Sequence, residues 1–385
     1  MSTQYKRIFL DLFGGVFFDR IVTGIMEYSR KNQQWTFIRM WPGIGGAEHL
    51  IENTRPDGVI FCDISPRWNE LLTKLGIPYV TILANPQVNA PRASIDDHAI
   101  GTLAAAHFLE RGLKYFGFCG YSNHPWSIGR EKGFALALHD AGYDFSSCKI
   151  DLSAEKNVST EMARIEQWII QLAKPAGVFI CHDAMASQVS EFCRRNEIHI
   201  PDQIALLGVD NQESECEFAI PPLSSVITGD ERIGYEAATM LDGLMQGGDR
   251  PEQPVLVPPV GIVTRQSTDL VAVDEPEIAA AIRFIRDNAH KPIQVTDILR
   301  HAPLSRTTLE TRFRKILGRT PMEEIRRIHV ERAKELLTHT DLAMARIAAR
   351  SGFPHPSNMA TIFKKMTGLS PSEYRRKFRV YSRDH

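Results

Sequence analysis

Phe313-Arg314-Lys315-Ile316-Leu317-Gly318-Arg319-Thr320-Pro321 and, fifty residues later, Phe363-Lys364-Lys365-Met366-Thr367-Gly368-Leu369-Ser370-Pro371 obey one formula, F-[RK]-K-x-x-G-x-[TS]-P. Each closes a longer design that occurs twice. The first copy reads as a short helix from Val295, a tight turn at Ala302–Leu304 and a polar helix from Ser305. The second reads as a short helix from Met344, a turn through Gly352-Phe353 and a polar helix through Ser357 to Lys365. These are two helix-turn-helix units, at 295–317 and 344–367. Leu309/Phe313 and Met359/Phe363 are i,i+4 pairs that pin each second helix to a core. The other face of each second helix carries small polar and basic groups, a chemistry suited to base edges and phosphates. Pro321–His339 reads as one connecting helix with Ile325, Ile328, Ala333, Leu336 and Leu337 as its buried stripe. At 1.5 Å per residue it is about 28 Å long, near the roughly 34 Å between successive major grooves on one DNA face.

Outward from this repeat, the helical pattern begins near Asp274-Glu275-Pro276, where acids and a proline mark a helix start. Ile278, Ala281, Ile282 and Ile285 then keep a helical face, and no strand pattern returns. The whole chain of 385 residues has a formal net charge of −1. That total hides an asymmetry. From Pro276 onward there are 22 Lys and Arg against 11 Asp and Glu, a net of +11; residues 1–275 hold 23 against 35, a net of −12. A basic all-α module follows an acidic body, the pattern of a polyanion-binding domain fused to something else.

Before Thr268, short β-rich runs alternate with helical ones. Strands are expected at Lys6–Leu12, Trp35–Met40, Gly58–Asp63, Tyr79–Leu83, Tyr115–Gly120, Gly177–Cys181 and Ile204–Val209, with helices between, the first from Asp19 to Asn32. Apolar strands joined by helical crossovers imply parallel sheets. Their number exceeds one compact sheet, so two α/β lobes facing a cleft are expected. Ligands of open α/β sheets sit at the carboxyl ends of strands. The candidate binding residues are therefore Phe17, Phe18, Asp19 and Arg20, then Asp63, then His124, Trp126 and Arg130, then His182 and Asp183, then Asp210 and Asn211. Aromatic faces beside carboxylates and arginine suit a sugar, whose C–H face lies on a ring while vicinal hydroxyls bridge charged groups. Asp19 and Asp183 can equally cap the helices that follow them.

The repeated units resemble the AraC-type DNA-binding domain across roughly 278–380. The resemblance implies base contacts from Arg306, Thr307, Glu310 and Thr311 in the first unit and from Ser357, Asn358 and Thr361 in the second, with Arg314, Lys364 and Lys365 on phosphates. The body resembles the LacI/GalR-type effector domain, a periplasmic-binding-protein-like fold, across about 5–270. The residues that carry this are Ile95-Asp96-Asp97 before Gly101, Gly208-Val209-Asp210-Asn211, Pro221-Pro222-Leu223-Ser224-Ser225-Val226, and Gly234 with Ala237-Ala238. Joining the two resembles regulators of sugar-catabolic operons. It implies that Asp19, Trp126, Asp183 and Asp210 line a monosaccharide site, with xylose the expected effector and another pentose or a hexose the alternative. The same resemblance implies an arginine two residues after Asp183, where this chain has Met185. The expected layout is an effector domain at 1–270, a linker at 271–277 and a DNA-binding domain at 278–385. Expected partners are a double-stranded operator, RNA polymerase and a second copy of the chain. An activator is expected.

Other classes find little support. No run approaches 18 apolar residues, so no membrane span is expected, and the first residues lack a signal-peptide pattern. A transport receptor is thereby the remote alternative, and a cytoplasmic, nucleoid-associated location is expected. The six cysteines never form C-x-x-C and suit reduced thiols. There is no G-x-S-x-G, P-loop, H-E-x-x-H or post-strand G-x-G-x-x-G. His98, His107, His124, His139 and His182 lack ligand spacing. No enzyme activity, metal or cofactor is expected.

Overall fold

Ile8-Phe9-Leu10 and Val59-Ile60-Phe61 are fully buried runs lying side by side, each residue unable to face water on either surface of its strand. That is the signature of a sheet covered by helices on both faces. A computed structural model describes residues 5–12, 15–32, 35–39, 47–151, 158–270, 275–340 and 342–378. The chain divides into two compact units, Met1–Leu270 and Val271–His385.

The first unit opens with β1 (Lys6–Asp11), α1 (Gly15–Lys31), β2 (Trp35–Arg39), α2 (Ala47–Thr54), β3 (Gly58–Phe61), α3 (Pro66–Leu75) and β4 (Tyr79–Thr81). Their strands form a parallel sheet in the order β2-β1-β3-β4. The chain then runs through β5 (Ala93–Ile95), α4 (Asp97–Leu109), β6 (Tyr115–Tyr121), α5 (Pro125–Asp140), β7 (Ser146–Ile150), α6 (Val158–Gln171), β8 (Ala176–Ile180), α7 (Asp183–Arg195), β9 (Ile204–Val209), α8 (Glu213–Phe218) and β10 (Ser224–Ile227). It ends with α9 (Asp230–Met245), β11 (Val255–Val257) and β12 (Gly261–Val263). The second sheet is ordered β12-β10-β9-β8-β6-β7, with only β12 antiparallel to its neighbour.

The chain passes between the lobes more than once. It leaves the first sheet through β5, returns in α9 and leaves again through β11, which pairs with β5. Two glycine pairs set the helix packing. A Cβ on Gly24 of α1 would meet the Glu231 carbonyl at 1.8 Å, and one on Gly234 of α9 the Ile21 carbonyl at 1.9 Å. In the second lobe, Gly101 of α4 and Gly133 of α5 meet the Arg130 and His98 carbonyls in the same way. Asp242 of α9 accepts from Tyr28 of α1 at 2.9 Å and from Lys6 of β1 at 3.1 Å.

The second unit is all helix: α10 (Pro276–Asp287), α11 (Val295–Leu299), α12 (Arg306–Leu317), α13 (Pro321–His339), α14 (Met344–Arg350), α15 (Pro356–Thr367) and α16 (Pro371–Phe378). Helix α10 begins at Pro276, where the sequence places a helix start. The repeated G-x-[TS]-P is a stop followed by a start. Gly318 and Gly368 end α12 and α15 at φ +68° and +76°, a left-handed conformation that glycine adopts without a Cβ clash. Thr320 then caps α13, accepting from the Glu323 amide at 3.2 Å while the Glu323 carboxylate accepts from the Thr320 amide at 2.7 Å. Ser370 and Glu373 repeat this reciprocal pair at α16. Helix α13 serves two cores with its two halves. Ile325 and Ile328 pack with Leu309, Phe313 and Ile298; Val330, Ala333 and Leu337 pack with Met359, Phe363 and Ile347.

Among the described residues no helix is long and apolar enough to cross a membrane. The six cysteines are free thiols, five of them buried.

Candidate functional site

The carboxyl ends of β6, β8 and β9 meet around Arg130, which α5 presents after Pro125 starts the helix. Arg130 is 4% exposed. Its Nε donates to Asp97 at 3.0 Å, its Nη1 to the Cys181 carbonyl, and its Nη2 lies 3.8 Å from Asp210. A buried guanidinium needs such partners, since a lone charge in protein costs several kcal/mol or more. The two carboxylates are raised by desolvation and drawn back down by Arg130.

An aromatic wall stands beside this pair. Trp126 lies 5.0 Å from the Arg130 guanidinium and stacks on His124, while Tyr121 packs edge-on to Trp126 and stacks on His182. His182 caps α7, its Nδ1 accepting from the Met185 amide at 3.2 Å. Burial, Arg130 and His124 push His182 down to about 4, so its ring is neutral near pH 7. With Nδ1 accepting, the single ring proton sits on Nε2 and points at the Tyr121 hydroxyl 3.0 Å away. Tyr121, pushed up to about 12 by burial, keeps its own proton and can donate it elsewhere in the cleft.

The first lobe contributes through α1. Arg20 donates to the Asp210 carbonyl at 2.8 Å and the Asn211 carbonyl at 3.0 Å, reaching across to the loop after β9. That loop is bent hard: Asp210 has φ +99° and Asn211 φ +45°. Phe17 and Phe18 pack edge to face at 4.9 Å in the same helix.

Two expectations need correction. Sequence reading places Phe17, Phe18, Asp19 and Arg20 after β1 with the helix starting only at Asp19. Helix α1 starts at Gly15, so they lie in its first turns, and Asp19 is exposed rather than a cap. Asp183, weighed as a sugar contact or as the cap of α7, is not the cap, a place that His182 takes. It is 1% exposed and spends both oxygens inside the protein, on the Ser225 hydroxyl at 2.6 Å, the Gln212 amide at 2.8 Å and the Cys216 thiol at 3.5 Å. Ser225 in turn accepts from the Asn211 amide at 2.9 Å. Asp183 therefore buttresses the bent loop from behind. Desolvation raises it to about 7.

The expected positions Trp126, Arg130, Asp210, Asn211 and Arg20 are brought together. Sequence reading assigned no role to Tyr121, Asp230 and Ser225. Tyr121 is the last residue of β6, one beyond the expected strand end, so the same strand-end rule would have found it. Met185 is turned into the core, with its sulfur 3.6 Å from Cys119 and 4.0 Å from Cys181. Asp63 is exposed after β3. Among the described residues no His, Cys, Asp and Glu cluster could hold a metal ion.

In the helical unit, Arg306, Thr307, Thr311 and Arg314 on α12 and Ser357, Asn358, Thr361, Lys364 and Lys365 on α15 are all exposed. Their buried counterparts are Leu309, Phe313, Met359 and Phe363. Glu310 is half-buried and pairs with Arg306 at 3.1 Å. Ser305 caps α12 by accepting from Thr308, whereas His355 before α15 makes no such side-chain bond.

Family models place these parts. Residues 105–268 match a periplasmic binding protein-like domain and 298–377 a helix-turn-helix domain. The two matches together give the chain the domain pairing of transcription regulators that join a periplasmic-binding-protein-like effector domain to an AraC-type helix-turn-helix domain, and the chain is similar to such regulators. Over nearly its full length the chain is similar to xylose operon regulatory proteins. That of Haemophilus influenzae is 29% identical over 384 residues, covering 97% of this chain and 99% of that protein. That of Escherichia coli K12 is also 29% identical, with 98% of its length covered. A solved xylose-binding transcription activator superposes with a TM-score of 0.76 at 27% identity, covering 98% of this chain and all of that one.

Proposed function

We propose that the chain is an activator of a sugar-catabolic operon whose first unit binds D-xylose between its lobes and whose helical unit reads operator DNA. The observation that carries this is the convergence in the cleft. Arg20 of one lobe holds the Asp210-Asn211 backbone of the other, beside an aromatic wall and a buried Arg130–carboxylate pair. That arrangement suits a small polyol with an apolar face. Xylose comes from the relatives, which are regulators and not enzymes. The boundaries proposed are 1–270 for the effector domain, 271–277 for the linker and 278–385 for the DNA-binding domain.

Sugar can bias the DNA-binding state only by binding one arrangement of the lobes more tightly, typically by about 1–3 kcal/mol. A homodimer is proposed as the working form. Phe218 and Ile220, at the turn from α8 to β10, are 77% and 71% exposed, and a second copy would cover them. RNA polymerase is the proposed further partner, and the cytoplasm the proposed location. The cleft needs no cofactor, metal or catalytic group under this reading.

All five tryptophans lie in residues 1–270, so their fluorescence reports the effector unit alone. In a thermal melt followed this way, xylose should raise the midpoint with concentration by mass action. A midpoint unmoved by xylose but raised by another pentose or a hexose establishes the alternative effector. No response to any monosaccharide contradicts the sugar reading.

A further inference from the structure

Asp230 opens α9, just after the chain returns from the second lobe, and no sequence motif marked it. It is 2% exposed. One oxygen, Oδ2, lies 3.5 Å from Arg20 Nη1. The other, Oδ1, is buried and makes no hydrogen bond of normal geometry. Thr228 Oγ1, two residues earlier, is buried in the same unsatisfied state, close enough to Asp230 to draw its carboxyl partly back down. Asn211 Oδ1 is a third such atom, on the loop whose carbonyl Arg20 holds. Each is tied to Arg20 directly or through one neighbour.

A buried polar atom without a partner costs about 1–3 kcal/mol, and more when it carries charge. Two of them belong to Asp230 and Asn211, which Arg20 also contacts, and the third precedes Asp230 by two residues. All three can accept hydrogen bonds, and the guanidinium that links them is already donating across the cleft. What would satisfy them is a guest that brings several O–H donors at close spacing.

We propose that Asp230 is a specificity-determining residue, its free Oδ1 accepting from one particular hydroxyl of the bound sugar while Oδ2 stays against Arg20. This deepens the sugar-binding reading and rests on it. A site built around a buried acceptor rejects an analogue that lacks the matching hydroxyl, because the acceptor is then left unpaired. Asp230 thus turns a general polyol cleft into one that reads hydroxyl pattern.

The test is calorimetric titration of the full-length chain with D-xylose and with the set of monodeoxyxyloses, each lacking one hydroxyl. Wild type should bind one monodeoxyxylose about 10–100-fold more weakly than xylose, the range for a lost hydrogen bond to a charged group. Asp230→Ala should weaken xylose by a similar factor, leave that monodeoxyxylose nearly unchanged and so erase the discrimination, whereas Asp230→Asn, whose neutral amide can still bond the hydroxyl, should lose the charge-assisted part and discriminate less than wild type. Asp230→Asn preserves shape, which guards against a folding failure in Asp230→Ala. Wild-type discrimination persisting in both variants overturns the role of Asp230 alone. Wild type binding no monosaccharide overturns the sugar reading and this proposal with it.

Discussion

In the effector unit the decisive polar groups are inside. Arg130, Asp183 and Asp230 are almost wholly buried, and each is defined by partners far along the chain. In the helical unit the polar groups proposed to meet DNA are outside, on α12 and α15, with a plain apolar core behind them. A small ligand must be enclosed, so its site is built of desolvated groups that hold one another in place. A duplex is met from one side, so its reader needs only a rigid helix with an exposed face. The first design is energetically tense and sensitive to pH; the second is tolerant of single polar changes and sensitive to salt.

The largest expected effect comes from removing Arg130. Arg130→Ala leaves Asp97 without its ion-pair partner and Asp210 with Arg20 alone, and breaking a buried pair typically costs about 3–5 kcal/mol. Tryptophan fluorescence in a urea titration should show it. A loss below 1 kcal/mol would contradict the picture of a tense cleft.

Next is the pH dependence set by Asp183. Its folded pKa, about 7, lies above the unfolded value near 4, so folding favours the protonated form. This group's contribution is therefore greatest at low pH, and stability falls as pH rises through that interval and levels off above it. His182 acts oppositely. Its pKa is held down to about 4, so charging it as pH falls below about 6.5 opposes folding. Because the two overlap, the informative quantity is the difference between proteins. Asp183→Asn should gain stability relative to wild type as pH rises from about 4 to 7, and a difference that is flat across this window contradicts the assignment.

On the DNA side, Arg306→Ala should weaken operator binding by about 1–3 kcal/mol if it reads a base, with xylose affinity unchanged. Lys364→Ala should reduce the salt slope of binding by about one phosphate contact. A variant of either that alters sugar binding instead would break the separation of the two designs. The smallest effect tests local order. Ser305→Ala removes the cap of α12 and should cost about 1 kcal/mol, whereas His355→Ala, before the uncapped α15, should cost much less.

The same contrast explains what could be read from sequence. Helix α13 was expected over Pro321–His339 and is found there, because an apolar stripe, a proline start and its cap are all local signals. The exposed faces of α12 and α15 followed from the i,i+4 spacing of Leu309/Phe313 and Met359/Phe363, which are buried. In the effector unit, strand ends were legible and delivered Trp126, Arg130, Asp210 and Asn211 to one place. The pairings were not, since Arg20 finds its partners some 190 residues away and Asp183 finds Ser225 42 residues away. Nothing local distinguishes a carboxylate facing a ligand from one bracing a loop. Strands β5, β7 and β10 were also missed. Strand β7 lies at a sheet edge and reads Ser-Ser-Cys-Lys-Ile, too polar to stand out. Strand β5 is only three residues long, and β10 is four residues long and opens with two serines.

The central claim is that a sugar held in the cleft changes how the helical unit engages DNA. The most direct measurement is fluorescence anisotropy of the full-length chain on a duplex selected for binding from random sequence, with and without xylose, for wild type and Asp210→Ala. The account predicts that xylose shifts the wild-type affinity by roughly 5–150-fold, the usual range of allosteric coupling, and that Asp210→Ala binds the duplex but loses the shift. Wild-type affinity unchanged across xylose and a panel of other pentoses and hexoses would contradict it.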